Sequence, residues 1–225
     1  MCARYSITTA PEALARLFGT VGAVPNMPPR YNVAPTQGAP VVRRGRDGLR
    51  LTLVRWGLIP SWSKGPDARF TMINARADTL AAKPAYRNAF RERRCLVPVD
   101  GFYEWQALAG GGKQPMRMVR PDRQPFALAG LWERWQPGPD QPAVDSFTIV
   151  TTDANDRLRP IHDRMPVVLD PADWGPWIEG PAEAVQHLLR PAPDAALVAY
   201  PVSARVGNVR NDDPDLLVEV PAPLV

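Results

Sequence analysis

Proline constrains this chain more than any other residue: 27 of its 225 positions are Pro, scattered from Pro11 to Pro223. Each removes a backbone donor and clashes inside a helix. Long helices therefore have little room, and short strands, turns and ordered loops are expected. A chain of this length buries a sizeable core as one larger domain or two small ones. No linker interrupts it, so a single domain over residues 1–225 is predicted. Hydrophobic content of 45% and charged content of 22% fit a soluble globular protein.

The strand grammar recurs along the chain. Pro11 to Gly19 forms a short amphipathic helix with Leu14, Leu17 and Phe18 on one face, capped by Thr8 or Thr9 and stopped by Gly19. Arg30–Thr36 predicts a strand that Pro35 turns. Val41 to Gly57 predicts a hairpin around Asp47-Gly48, with Arg43, Arg44 and Arg46 on a solvated edge. Trp56 to Ser63 makes a rigid aromatic loop, with Trp56 in the core and Trp62 either packed or offered as a stacking surface. Tyr86 to Arg94 is a short basic helix whose arginines are either a wet face or phosphate partners. Cys95 to Trp105 predicts strand, Asp100-Gly101 turn, strand, and Gly110-Gly111-Gly112 a flexible hairpin tip. Residues 115–119, 125–132, 146–152 and 197–202 predict further strands, and Pro181–Arg190 a helix.

Several residues stand out chemically. Position 2 is small, so Met1 is expected to be trimmed, leaving Cys2 with a free α-amine and a thiol on adjacent carbons. The amine titrates at about 7.7–8.0 and the thiol near about 8.5. An aldehyde condenses with that amine to an imine and then accepts the thiol, closing a thiazolidine that an internal cysteine cannot form. The plainer alternative is a chance cysteine on a loose terminus. Glu104 lies between Tyr103 and Trp105 in an apolar strand, where a carboxylate is costly unless protonated, hydrogen-bonded or useful. That makes it the foremost general acid/base candidate. His162 stands in a polar cluster at the mouth of the apolar run Met165–Leu169, whereas His187 predicts surface or packing. Cys95 predicts a small buried hydrophobe.

Other chemistries lack their residues. With two cysteines and no CxxC or Cys/His cluster, neither a disulfide framework nor a structural zinc is expected, and no cofactor. There is no phosphate-binding glycine loop, HExxH or GxSxG. No secretion signal or membrane-length apolar run occurs, so a cytoplasmic protein is expected. Net charge of +4 with pI near 9.4 mildly favours a polyanionic partner.

Eight segments together resemble the SRAP family, the SOS-response-associated peptidase domains described as abasic-site processing proteins. They are Met1–Tyr5, Tyr31–Thr36, Trp56–Trp62, Asn74–Thr79, Arg94–Trp105, Ala129–Trp132, Ile161–Pro166 and Val202–Val209. Ala3 stands where the family usually has glycine, and Asp78 where it usually has glutamate. The resemblance implies a single α+β domain, with antiparallel sheets curled into a barrel-like core and short peripheral helices. It implies Cys2 as the crosslinking residue, with His162 and Glu104 sharing acid/base work and Asn74 holding Cys2 or the sugar. It implies Arg4 and Arg76 at flanking phosphates, Trp62 and Trp105 as stacking surfaces, and Asn32 and Pro35 among the DNA contacts. The implied partner is single-stranded DNA with abasic sites, bound by a monomer that joins the nucleoid when on DNA.

Two rivals remain. An N-terminal-nucleophile hydrolase would use the Cys2 thiol on an amide with its own amine as base. A non-covalent single-strand binder would use only arginines and tryptophans.

Overall fold

The computed structural model describes residues 2–66 and 71–221; Met1, whose trimming the sequence predicts, lies outside them. Strand β1 (Arg4–Ile7) leads into helix α1 (Pro11–Leu17), then β2 (Arg30–Val33), the hairpin β3 (Gly38–Arg44) and β4 (Leu49–Trp56), and β5 (Asn74–Arg76). Helix α2 (Arg87–Glu92) precedes β6 (Arg94–Val99), β7 (Gly101–Ala107), β8 (Lys113–Val119), β9 (Phe126–Trp135) and β10 (Val144–Asp153). Strands β11 (Arg164–Pro166) and β12 (Val168–Leu169), helix α3 (Trp174–Glu179) and β13 (Val198–Pro201) follow, joined by short 3-10 turns. The predicted helix over Pro181–Arg190 is one of these turns, Ala182–Leu188.

Strands β10, β4, β3, β6 and β9 pair in that order, and β9 pairs back onto β10, so five strands close a barrel. The α+β class is as expected. The sheets are not wholly antiparallel: β10 runs parallel to β4 (Phe147↔Trp56) and to β5 (Ile149↔Asn74). Alternation of apolar residues fixes which face a strand buries and leaves its direction open, so the sequence could not reveal this. A second sheet, β13-β8-β7-β1-β2, is antiparallel throughout.

Asp100 is the corner where the chain leaves the barrel on β6 and enters the second sheet on β7. Its buried carboxylate accepts hydrogen bonds from Thr8 Oγ1 (2.7 Å), Thr9 Oγ1 (2.6 Å) and the Thr8 and Thr9 amides. Those threonines therefore do not cap α1, whose N-cap is Ala10 without a side-chain bond. They pin the end of β1 to the corner instead. Behind it, Trp56 is fully buried and packs on Tyr5 and Phe147 (ring centroids 5.1 and 6.2 Å).

The basic run around α2 divides. Arg94 is buried and donates to the Phe90 carbonyl (2.6 Å) and to those of Trp177 and Gly180, tying α2 to α3. Arg93 pairs with Glu133 (2.9 Å) and Glu92 (2.8 Å). Neither is available to phosphates, because carbonyls and carboxylates already occupy both guanidinium groups. Arg43 likewise departs from the expected solvated edge: it pairs with Asp145 (2.7 Å) and lies 4.3 Å over the Trp132 ring.

Candidate active site

Strand β1 runs antiparallel to β7 with Arg4 opposite Tyr103, which carries the residues ahead of Arg4 to the Glu104 end of β7. Cys2 is fully buried there, in a chain that still begins with Met1. Its thiol donates to the Arg4 carbonyl at 4.0 Å. Burial, reinforced by the nearby Glu104 carboxylate, pushes that thiol well above the ordinary range.

Asn74 reaches Cys2 from the barrel side. The parallel pairing of β5 with β10 fixes its backbone, and the Tyr86 hydroxyl donates to its carbonyl at 3.2 Å. Its side-chain Nδ2 donates to the Cys2 carbonyl at 2.9 Å. Asn74 Oδ1 is buried and accepts no hydrogen bond among the described residues. A buried acceptor without a donor is costly, so this atom stands ready for an N–H or O–H delivered beside Cys2.

Glu104 is 4% exposed, and burial is the main reason its carboxyl is raised from 4.5 to about 7. A narrow crevice joins it to His162, with Phe102, Met118, Leu158, Ile161 and Arg164 as the remaining walls. The turn that presents His162 is built by Asn155, whose Oδ1 accepts from the Leu158 amide (3.0 Å) and whose Nδ2 donates to the Ala192 carbonyl (2.9 Å). Partial burial lowers the His162 pKa below its usual value, so the ring is neutral at pH 7. Nδ1 lies 3.1 Å from the Arg164 amide and 2.8 Å from Asp163 Oδ1. A neutral ring satisfies one of these at a time: Nδ1 accepts from Arg164, or it carries the proton and donates to Asp163. The Asn74 amide thus bonds Cys2, the Glu104 carboxyl lies near the Cys2 thiol, and Glu104 and His162 line one crevice.

The raised Glu104 pKa also bears on stability. Below pH 4.5 the carboxyl is protonated whether folded or unfolded and contributes nothing; between 4.5 and about 7 only the folded chain keeps the proton. Stability therefore falls as pH rises through that window, and the deficit is complete above it. Glu104→Gln should stabilise the fold at pH 8 by on the order of 3 kcal/mol, and by almost nothing at pH 4, in urea unfolding at the two pH values.

The remaining predicted residues divide. Trp62 is 67% exposed. Arg76 is exposed at the end of β5, held by Asp78 in a bidentate pair (3.0 and 2.6 Å). Arg4 is half-buried, donates to the Val206 carbonyl (2.7 Å) and lies 5.9 Å over the Trp105 ring, so one face of Trp105 is covered. Pro35 is half-buried in the turn after β2. Asn32 is fully buried, and its Nδ2 donates to the Val206, Asn208 and Asn211 carbonyls (3.1, 3.1 and 2.9 Å). It anchors the 206–211 loop, and its Oδ1 accepts from Arg4 (3.3 Å). Two residues given no role by the sequence join the site, Tyr86 behind Asn74 and Arg164 beside His162. For Arg164 the signal was its place two residues after His162, a basic residue opening an apolar strand. Among the described residues no three His, Cys, Asp or Glu side chains converge as a metal site.

The family model for SOS response associated peptidase (SRAP) matches residues 1–209. The chain belongs to the SRAP family. This SRAP chain is 36% identical over 222 residues to abasic site processing protein YoqW of Bacillus subtilis, covering 96% of this chain and 99% of that one. It is 34% identical over 226 residues to abasic site processing protein HMCES of Gallus gallus, covering 85% of this chain and 66% of the other. The SRAP fold also matches a crystal structure of a Bacteroides thetaiotaomicron protein with TM-score 0.88 and 24% identity, covering 97% and 100% of the two chains.

Proposed function

We propose that this SRAP protein captures abasic sites in single-stranded DNA as a thiazolidine on Cys2. The observation that carries the reading is the hydrogen bond from Asn74 to the Cys2 carbonyl beside the Glu104–His162 crevice. Relatives named as abasic site processing proteins support the lesion as substrate.

An abasic sugar is mostly a closed hemiacetal. Neutral His162 takes the proton from the C1′ hydroxyl while protonated Glu104 gives one to the ring oxygen, freeing the aldehyde. The Cys2 amine adds to C1′, and its spare proton passes to the new hydroxyl, which leaves as water to give the imine. The thiol then adds across the C=N bond: sulfur bonds C1′ and the S–H proton ends on nitrogen. Asn74 Oδ1 accepts from the attacking amine, orienting its lone pair; its burial without an acceptor bond supports this role. Ring closure consumes the imine before β-elimination cuts the strand, so capture also shields the DNA.

Processing gives access. Cys2 is fully buried in the chain that begins with Met1; losing Met1 creates the amine and, on this reading, opens Cys2 to solvent. A thiol reagent should therefore label Cys2 rapidly in the trimmed chain and slowly in one that retains Met1, with buried Cys95 slow in both. Equal labelling of Cys2 in the two chains contradicts this gating. For the function itself, the trimmed protein should form a heat-stable adduct with an abasic oligonucleotide, and neither the Met1-retaining chain nor an intact strand should give one. A heat-stable adduct from the Met1-retaining chain refutes the proposal.

A further inference from the structure

A neutral imidazole is a base only at the nitrogen that lacks the proton, and the neighbours of His162 decide which one that is. Nδ1 lies 2.8 Å from Asp163 Oδ1 and 3.1 Å from the Arg164 amide. The two contacts ask for opposite tautomers. The amide N–H only donates, so it calls for a lone pair on Nδ1 and sends the proton to Nε2. The carboxylate only accepts, so it calls for the proton on Nδ1 and leaves the lone pair on Nε2.

The carboxylate wins this contest. A hydrogen bond to an ionised acceptor is roughly twice as strong as one between neutral groups, and the other tautomer sets the Nδ1 lone pair against a carboxylate oxygen at 2.8 Å. The backbone holds Asp163 for the contact: its carbonyl accepts from the Ala154 amide (2.9 Å), closing the turn that Asn155 builds. Its side chain is 83% exposed, so solvent screens the long-range field and the short contact carries the effect. We infer that Asp163 is the positioning residue that fixes His162 as the Nδ1–H tautomer, leaving Nε2 to take the proton of the C1′ hydroxyl. The imidazolium so formed keeps its Nδ1–H on the carboxylate, the service that the aspartate of a serine-protease triad gives its histidine. The inference rests on the proposed ring opening and adds to it a residue so far without a role.

The test reads the tautomer directly. The chain has two histidines, so nitrogen NMR of trimmed protein labelled with 15N-histidine shows which ring nitrogen of His162 is protonated, with exposed His187 as an internal reference. At pH 8 the wild-type ring should carry its proton on Nδ1. In Asp163→Ala the Arg164 amide remains and the carboxylate does not, so the proton should move to Nε2. The near-isosteric Asp163→Asn should do the same, because its NH2 group turns to Nδ1 and joins the Arg164 amide; it should unfold at the wild-type urea midpoint. At saturating abasic DNA both variants should form adduct roughly tenfold to a hundredfold more slowly, since the wrong tautomer removes the base, while the half-saturating DNA concentration should not rise. A wild-type proton on Nε2, a tautomer unchanged in both variants, or a wild-type adduct rate in either overturns the inference. The spectrum is recorded without DNA, so a complete absence of adduct from the wild type sinks the Cys2 reading and leaves the tautomer assignment standing.

Discussion

Cys2→Ser should turn a lasting adduct into a fleeting one. The trimmed variant keeps the α-amine, so the imine still forms, but a hydroxyl is a far weaker nucleophile than a thiol and ring closure stalls. The heat-stable band should fall to background, while borohydride, which reduces imines, should restore a crosslink. Strand cleavage should rise, because the longer-lived imine is open to β-elimination. Denaturing gels with and without borohydride read all three, and an undiminished heat-stable adduct from Cys2→Ser contradicts the role given to sulfur.

Glu104→Gln should slow adduct formation by roughly a hundredfold or more, the usual contribution of a placed general acid. Glutamine keeps the shape and removes the transferable proton. The carboxyl titrates at about 7, so the wild-type rate should lose its acid as pH rises past that value. In Glu104→Gln that limb should vanish, and the residual rate should follow the α-amine, rising through about pH 8. A variant with the wild-type rate and pH profile would remove Glu104 from the chemistry. The same substitution should stabilise the protein at pH 8, so lost activity with gained stability separates a catalytic role from a structural one.

Much of this was legible in the residues. A carboxylate flanked by Tyr103 and Trp105 announced a perturbed group, and the structure buries it as that pattern demands. Cys2 announced itself through position alone. The barrel did not: its closure depends on β9 pairing with β10 and on parallel pairings of β10, and direction and partner leave no trace in alternation. Buried polar residues are hard to read for a related reason. The family resemblance implies a DNA contact at Asn32, and its amide donates to three carbonyls of a loop 174 to 179 residues further along the chain. Arg94 belongs to the same class, a charge spent on helix-end carbonyls. What a polar side chain touches is set by tertiary packing, and only the fold reveals whether it faces water.

The most direct measurement is mass spectrometry of the proteolysed adduct formed by trimmed protein and an abasic strand. The account predicts the crosslink on the peptide beginning at Cys2, with a mass equal to peptide plus sugar remnant less one water, and no free thiol on that residue. A crosslink on an internal lysine, or on a peptide still beginning with Met1, would contradict it.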